Sequence, residues 1–260
     1  MSSPRTCGKA QTGLAKLPDL RRNLQLSTKA IFFDHDGTLV DSEPIHYQLW
    51  RDVLTSHGVA LSEAFYRDCC AGIPTADNAV DLVARFAINA SPAALAEAKS
   101  LATRRFLAHQ AFPLLPSVGD AVPLLHDAGW RLAIVTGAGS DAVRSTLRQH
   151  SLTGFFETVV SGDDVKNSKP APDCYLLAAR RLGLKPSECI AIEDTEHGVN
   201  SAAAAGVACL AVPNEMSRNH DFSQATAVFE ELAAAVSGIQ RRAAAGPSIG
   251  EPFQPHGENS

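Results

Sequence analysis

The sequence predicts an α/β chain: a doubly wound parallel sheet with an all-α unit inserted after its first strand. Three observations predict it. Short apolar runs ending in small or acidic residues recur between residues 30 and 212. Helical patterns separate these runs, and strand–helix alternation at this spacing gives parallel strands joined by crossovers. Residues 46–113, between the first and second runs, carry helical periodicity and no strand signal.

Taken in order, residues 1–28 are basic, with Asp19 their only acid, and Gly and Pro interrupt any helix. They read as a disordered extension, or as an organellar transit peptide. Ala30-Ile31-Phe32-Phe33 is a buried parallel strand that runs into Asp34-His35-Asp36-Gly37-Thr38. Residues 39–46, with Pro44, read as a loop. The helical block follows: Tyr47, Trp50, Val53 and Leu54 recur at 3.6 spacing, Ser62 starts a second helix, a third covers 76–87, and Ser91-Pro92 opens a fourth. Pro113 and Pro116 bracket a hinge candidate. A helix over 120–128 precedes the strand Arg131–Val135, which ends in Thr136-Gly137. Strands over 158–160, 189–192 and 208–212 follow, with Lys169-Pro170 opening a helix after the third strand and Glu193-Asp194 closing the fourth. A last helix spans 229–236. The domain reading is therefore a Rossmann-like core over 29–45 and 114–235, a helical cap over 46–113, and a disordered tail over 236–260.

Composition narrows the function classes. A net charge of −5 argues against a nucleic-acid footprint. No run of about 18 apolar residues exists, so no membrane span is expected. Six cysteines, none in CxxC spacing, give no zinc or thioredoxin-like signal and fit a reducing, cytoplasmic setting.

The residues just after each strand carry the chemistry. In open α/β sheets, ligands bind beyond the strands' carboxyl ends. That edge collects Asp34, Asp36, Thr136, Lys169, Glu193 and Asp194. Clustered carboxylates repel unless a cation lies among them, and Mg²⁺ takes carboxylates together with substrate phosphate. Phosphoryl transfer needs a nucleophile, a metal site and donors for the transferred oxygens. Thr136, the backbone N–H groups from Gly137 onward and Lys169 can be those donors. Each residue alone has a plainer reading. Asp34 and Asp36 can cap a turn, Thr136 can cap a helix, and Lys169 and His46 can lie on the surface. Asp173 reads as a helix cap or a partner of Lys169. His35, between the two aspartates, should point the other way and reads as structural.

Asp34-His35-Asp36-Gly37-Thr38 resembles the DxDGT motif of the haloacid dehalogenase-like superfamily. Thr136, Lys169-Pro170 and Glu193-Asp194 resemble its second, third and fourth motifs, so the resemblance covers about residues 29–235. The helical insert and the Lys-Pro-x-Pro-Asp and Glu-Asp-Thr spellings are similar to the β-phosphoglucomutase-like branch. The resemblance implies Asp34 as nucleophile and Asp36 as general acid/base. It implies Mg²⁺ on Asp34, the Asp36 backbone carbonyl and Asp194, with Glu193 nearby, and phosphate on Thr136, Gly137 and Lys169. His46 matches a cap position near the acid/base, and Gly72 resembles the cap specificity loop.

Hexose-phosphate mutases of this branch carry Lys just before that Gly and Arg three residues after it. Ala71 and Thr75 stand there in this chain. The loss of both cations favours a phosphatase that transfers to water and acts on a small phosphorylated metabolite, as a monomer or weak dimer. A sugar phosphomutase is the alternative. A phospho-accepting receiver module is a further one, against which the helical insert counts.

Overall fold

The computed structural model describes residues 28–244. The extension expected over 1–28, apart from Thr28, lies outside the described residues with its transit-peptide reading, as does the tail beyond 244. Among the described residues six strands form one sheet: β1 Ala30–Phe33, β2 Arg131–Val135, β3 Phe156–Val160, β4 Cys189–Glu193, β5 Ala208–Ala211 and β6 Ala227–Val228. Their order is β3-β2-β1-β4-β5-β6 and every pairing is parallel. The chain winds outward from β1 through β3, then returns to place β4 on the other side of β1. The crevice between β1 and β4 is therefore the topological switch point, where such sheets bind ligands.

Both faces of this sheet are covered, which explains the unbroken apolar spelling of its strands. Ile31 and Phe33 of β1 and Ile190 and Ile192 of β4 join one buried cluster with α5 (Val118–Asp127), α6 (Ser140–Gln149) and α9 (Leu232–Ala244). Ala30, Phe32, Cys189 and Ala191 face the other way, against α7 (Asp173–Arg181) and α8 (Glu196–Ala204). The inserted block holds α1 Glu43–Thr55, α2 Glu63–Cys69, α3 Thr75–Phe86 and α4 Pro92–His109. It buries a cluster of its own around Trp50, Leu54, Tyr66, Leu82 and Leu95. The Ser62 and Ser91 side chains cap α2 and α4 by accepting from Phe65 N and Ala94 N. The two chain crossings between the units run side by side: Asp41 N donates to Pro113 O at 2.8 Å and Leu115 N to Leu39 O at 3.0 Å.

Four local readings need correction. Helix α1 begins at Glu43, not near His46, because Pro44 occupies its first turn, where a missing N–H costs nothing. The disordered tail read from 236 is overturned as far as 244: α9 runs through Ala244, and Val236 and Ile239 are buried against the sheet's first face. The edge strand β6 was not anticipated, being only two residues long. Lys169 does not open a helix: α7 starts at Asp173, four residues later. Cys70, Cys174, Cys189 and Cys209 are free thiols. No described helix is long and apolar enough to cross a membrane.

Candidate active site

The site grows from the ends of β1 and β4. Asp34 N still donates to Ile192 O at 3.0 Å, so Asp34 leaves the sheet in register with β4. The chain then turns tightly: Gly37 N donates to Val40 O, and Leu39 N and Val40 N both donate to His35 O. Gly37 takes φ +81°, and a Cβ there would lie 2.1 Å from Asp194 Oδ2. Glycine is what lets the Asp34–Thr38 turn lie against Asp194. Gly198, in the first turn of α8, leaves similar room for Glu193, whose carboxylate a Cβ would meet at 2.0 Å.

Lys169 closes this edge of the sheet. Its Nζ donates to Asp34 Oδ1 at 2.5 Å, Glu193 Oε1 at 2.6 Å and Val135 O at 2.8 Å. Residues from the ends of β1, β2 and β4, spread from position 34 to position 193 of the chain, thus meet one ammonium. One carboxylate oxygen from each of Asp34, Glu193 and Asp194 lies within 4.8 Å of the other two, and all three residues are buried. Tyr175 OH also donates to Glu193 Oε1, at 2.6 Å, and Asn214 Nδ2 donates to Asp194 Oδ2, at 2.7 Å.

Three buried carboxylates share one ammonium, and the electrostatics record the imbalance. Burial, then the Glu193 and Asp36 charges, push Asp34 up to about 7 against the pull of Lys169. Burial and the Asp34 and Glu193 charges also raise Asp194 well above the carboxylate range. Burial would lower Lys169, but Asp34 and Glu193 hold it well above its usual value, hence charged. Asp194 Oδ1 and Glu193 Oε2 are buried with no hydrogen-bond partner. Orphaned acceptors beside excess negative charge fit a hard, oxygen-loving cation.

Thr136 follows β2 and is buried. Its Oγ1 accepts from Ala138 N at 3.0 Å, which shapes the Gly137–Gly139 turn and leaves the hydroxyl hydrogen to donate. It does not cap α6, whose N-cap is Gly139. Gly137 is exposed at the head of that turn.

The Asp36 carboxylate turns away from the acidic cluster. Oδ2 lies 3.3 Å from His35 Nδ1, and Oδ1 lies 3.9 Å from His46 Nε2. Burial would raise Asp36, but the adjacent His35, more than the distant His46, brings it well below the usual carboxylate range. His46 stands in the first turn of α1, over the Phe112 ring, with Lys99 Nζ 3.1 Å from its Nδ1. Burial and the Lys99 charge lower His46 to about 4, so it is neutral at pH 7 and no counter-ion. Burial lowers Lys99 itself to about 8. Gly72 N donates to Glu43 Oε1 at 3.0 Å, and Glu43 Oε2 accepts from Tyr66 OH at 2.5 Å. A Cβ on Gly72 would lie 3.8 Å from Thr195 Cγ2, so the cap loop reaches the residue after Asp194. Thr75 begins α3, and no hydrogen bond or ion pair joins it to Asp34, Asp36 or Lys169.

Asp173 is neither cap nor lysine partner: Pro172 is the N-cap of α7, and Asp173 Oδ1 accepts from Asn167. His35 turns its ring to Thr146, away from the acidic cluster that Asp34 joins, but with β1 ended at Phe33 it also reaches the Asp36 carboxylate. Sequence reasoning missed Asn214, Tyr175 and Lys99. Asn214 lies three residues beyond β5, so the strand-end rule applied once more would have found it. Lys99 shares the buried face of α4 with Leu95 at i,i+4 spacing, a signal that was legible.

A family model described as haloacid dehalogenase-like hydrolase matches residues 28–206. The chain is 37% identical to the fructose-1-phosphate phosphatase YqaB of Escherichia coli, over 68% of this chain and 92% of that one. It is 32% identical to the protein CbbY of Rhodobacter capsulatus, over 82% and 97% of the two chains. The crystal structure of a putative β-phosphoglucomutase from Thermotoga maritima superposes with a TM-score of 0.65 and 26% identity, covering 82% of this chain and 99% of that one.

Proposed function

The chain belongs to the haloacid dehalogenase-like hydrolases, on their β-phosphoglucomutase-like branch, and is a phosphoric monoester hydrolase; from that premise we propose a Mg²⁺-dependent phosphatase that acts on a small sugar phosphate through an aspartyl-phosphate on Asp34. One observation carries the reading: Lys169 Nζ bonds both Asp34 and Glu193, beside an Asp194 oxygen that has no partner.

Asp34, Asp194 and the Asp36 backbone carbonyl would hold the cation, with Glu193 at the margin. Bound there, Mg²⁺ supplies the positive charge that lets an anionic carboxylate approach an anionic phosphate. Lys169, the Thr136 hydroxyl and the Gly137 N–H hold the transferred oxygens. Asp34 attacks phosphorus and the bond to the sugar oxygen breaks. Asp36, ionised in the free site, takes up a proton from solvent at Oδ1 as the anionic substrate enters beside it, and gives that proton to the leaving sugar oxygen. It then takes a proton from the water that attacks the aspartyl-phosphate, and phosphate leaves with Asp34 regenerated. Water is the acceptor in this reading because Ala71 and Thr75 offer no cation for the second phosphate of a mutase cycle. The fructose-1-phosphate phosphatase among the relatives supports a sugar phosphate as substrate. Cytoplasmic residence belongs to the same proposal, supported by the free thiols of Cys70, Cys174, Cys189 and Cys209.

Phosphate release is measured over a panel of phosphorylated metabolites, with Mg²⁺ and with a chelator. Turnover on at least one sugar phosphate is expected, lost in chelator. Asp34→Asn should lower it by about 10⁴-fold or more, the scale seen when a nucleophile is removed. Wild-type turnover by that variant would overturn the nucleophile assignment.

A further inference from the structure

His35 fills a position where an apolar side chain would satisfy the core. It is fully buried, and burying an imidazole is costly unless both ring nitrogens find partners. Both do. Nδ1 lies 3.3 Å from Asp36 Oδ2, and Nε2 lies 2.9 Å from Oγ1 of Thr146, itself fully buried on α6. The partners settle the hydrogens. With the transferred proton kept on the unpartnered Oδ1, Oδ2 can only accept, so Nδ1 carries the hydrogen. Nε2 then accepts from the Thr146 hydroxyl, whose described partner it is. The His35 carbonyl meanwhile takes both Leu39 N and Val40 N, which locks the turn that carries Asp36.

We propose that His35 is a positioning residue for Asp36: oriented by Thr146, it holds Oδ2 and leaves Oδ1 as the oxygen that gives and takes the proton. Asp36 Oδ1 is buried with no hydrogen-bond partner, as a reserved proton-transfer atom would be before substrate arrives. The hold comes from β1's own turn and α6, both in the core. His46, the other imidazole near Asp36, comes from the cap helix α1. The inference rests on the phosphatase reading above.

The test is leaving-group dependence. A p-nitrophenolate departs without a proton, whereas an alkoxide needs one, so poor positioning of Asp36 penalises alkyl esters selectively. kcat/KM is measured on p-nitrophenyl phosphate and on the best alkyl phosphate from the panel. His35→Leu should lose about 10- to 100-fold on the alkyl ester, part of the 10²–10⁴ that acid catalysis is worth, and less than about threefold on the aryl ester. His35→Asn, whose amide Nδ2 can stand in for Nδ1, should recover most of the loss. Thr146→Val should discriminate in the same direction and Thr146→Ser should not. Equal losses on both esters, or no loss, in His35→Leu and Thr146→Val would overturn the proposal; if His35→Leu does not fold, the Thr146 pair decides alone. Failure of the phosphatase reading looks different: wild type hydrolyses neither ester, or Asp36→Asn shows no discrimination between them.

Discussion

Asp34 and Asp36 stand two residues apart, yet their surroundings are opposites. Asp34 sits among carboxylates from β4 and one lysine, and burial with excess negative charge pushes it up to about 7. Asp36 sits between two imidazoles, one from the turn and one from the cap, and is held ionised. The first neighbourhood belongs to the sheet edge and calls for a cation. The second is assembled partly from inserted helices, over Phe112 and the buried Lys99, and calls for a substrate. Without a cation this order is the reverse of what a nucleophile and a general acid need, so a cation among the sheet-edge carboxylates and an anionic phosphate beside Asp36 would have to invert it.

That contrast can be broken from the sheet side first. Lys169→Met should leave three buried carboxylates without their ammonium. Activity should fall by about 10³-fold as measured by phosphate release, and thermal unfolding should show a loss of about 3–5 kcal/mol in chelator. Added Mg²⁺ should restore part of the stability and little of the activity.

A pH series on the metal-free wild type follows. A carboxyl whose folded pKa is raised binds its proton more tightly in the folded state. Its contribution to stability is present below the unfolded value and lost as pH rises through the folded one. With Asp34 raised from 3.8 to about 7, the chelated protein should melt lower at pH near 8 than at pH near 5, and millimolar Mg²⁺ should shrink the gap. An unchanged gap would mean that the cation does not answer the acidic cluster.

Two glycines sharpen the comparison further. Gly37 and Gly72 share a left-handed backbone, with φ +81° and +70°, so alanine strains both by about 1 kcal/mol. Only at Gly37 does the new Cβ strike Asp194, at 2.1 Å; at Gly72 it touches Thr195 at an ordinary 3.8 Å. Gly37→Ala should therefore raise the Mg²⁺ midpoint by about tenfold or more through the displaced carboxylate. Gly72→Ala should leave that midpoint unchanged. The smallest effect is expected on the cap side. Glu43→Gln keeps the shape but weakens the bonds to Gly72 and Tyr66, so KM should rise severalfold with kcat near wild type, about 1 kcal/mol of loop anchoring.

The sheet side was legible before any coordinates. Asp34, Thr136, Lys169, Glu193 and Asp194 all end or follow strands or precede a helix, and parallel strands deliver their ends to one edge whatever lies between them. The cap side was far less so. His46 is singled out only through a resemblance and Lys99 not at all; in the core turn beside them, the contact of His35 with Asp36 is not expected either. Their roles depend on how helices cross from another unit and on where strand alternation stops. Neither is a property of local sequence.

By itself the sequence determined the parallel α/β core, the helical insert and the residue types at the strand ends, because periodicity and spacing are local signals that survive without neighbours. Tertiary structure alone decided which oxygen faces which donor. It decided that Lys169 bonds Asp34 and Glu193 while Asp194 keeps an oxygen unpaired, and that Asp36 turns to the imidazoles. Charge and desolvation act over a few ångströms of space, and that distance exists only once the chain has folded.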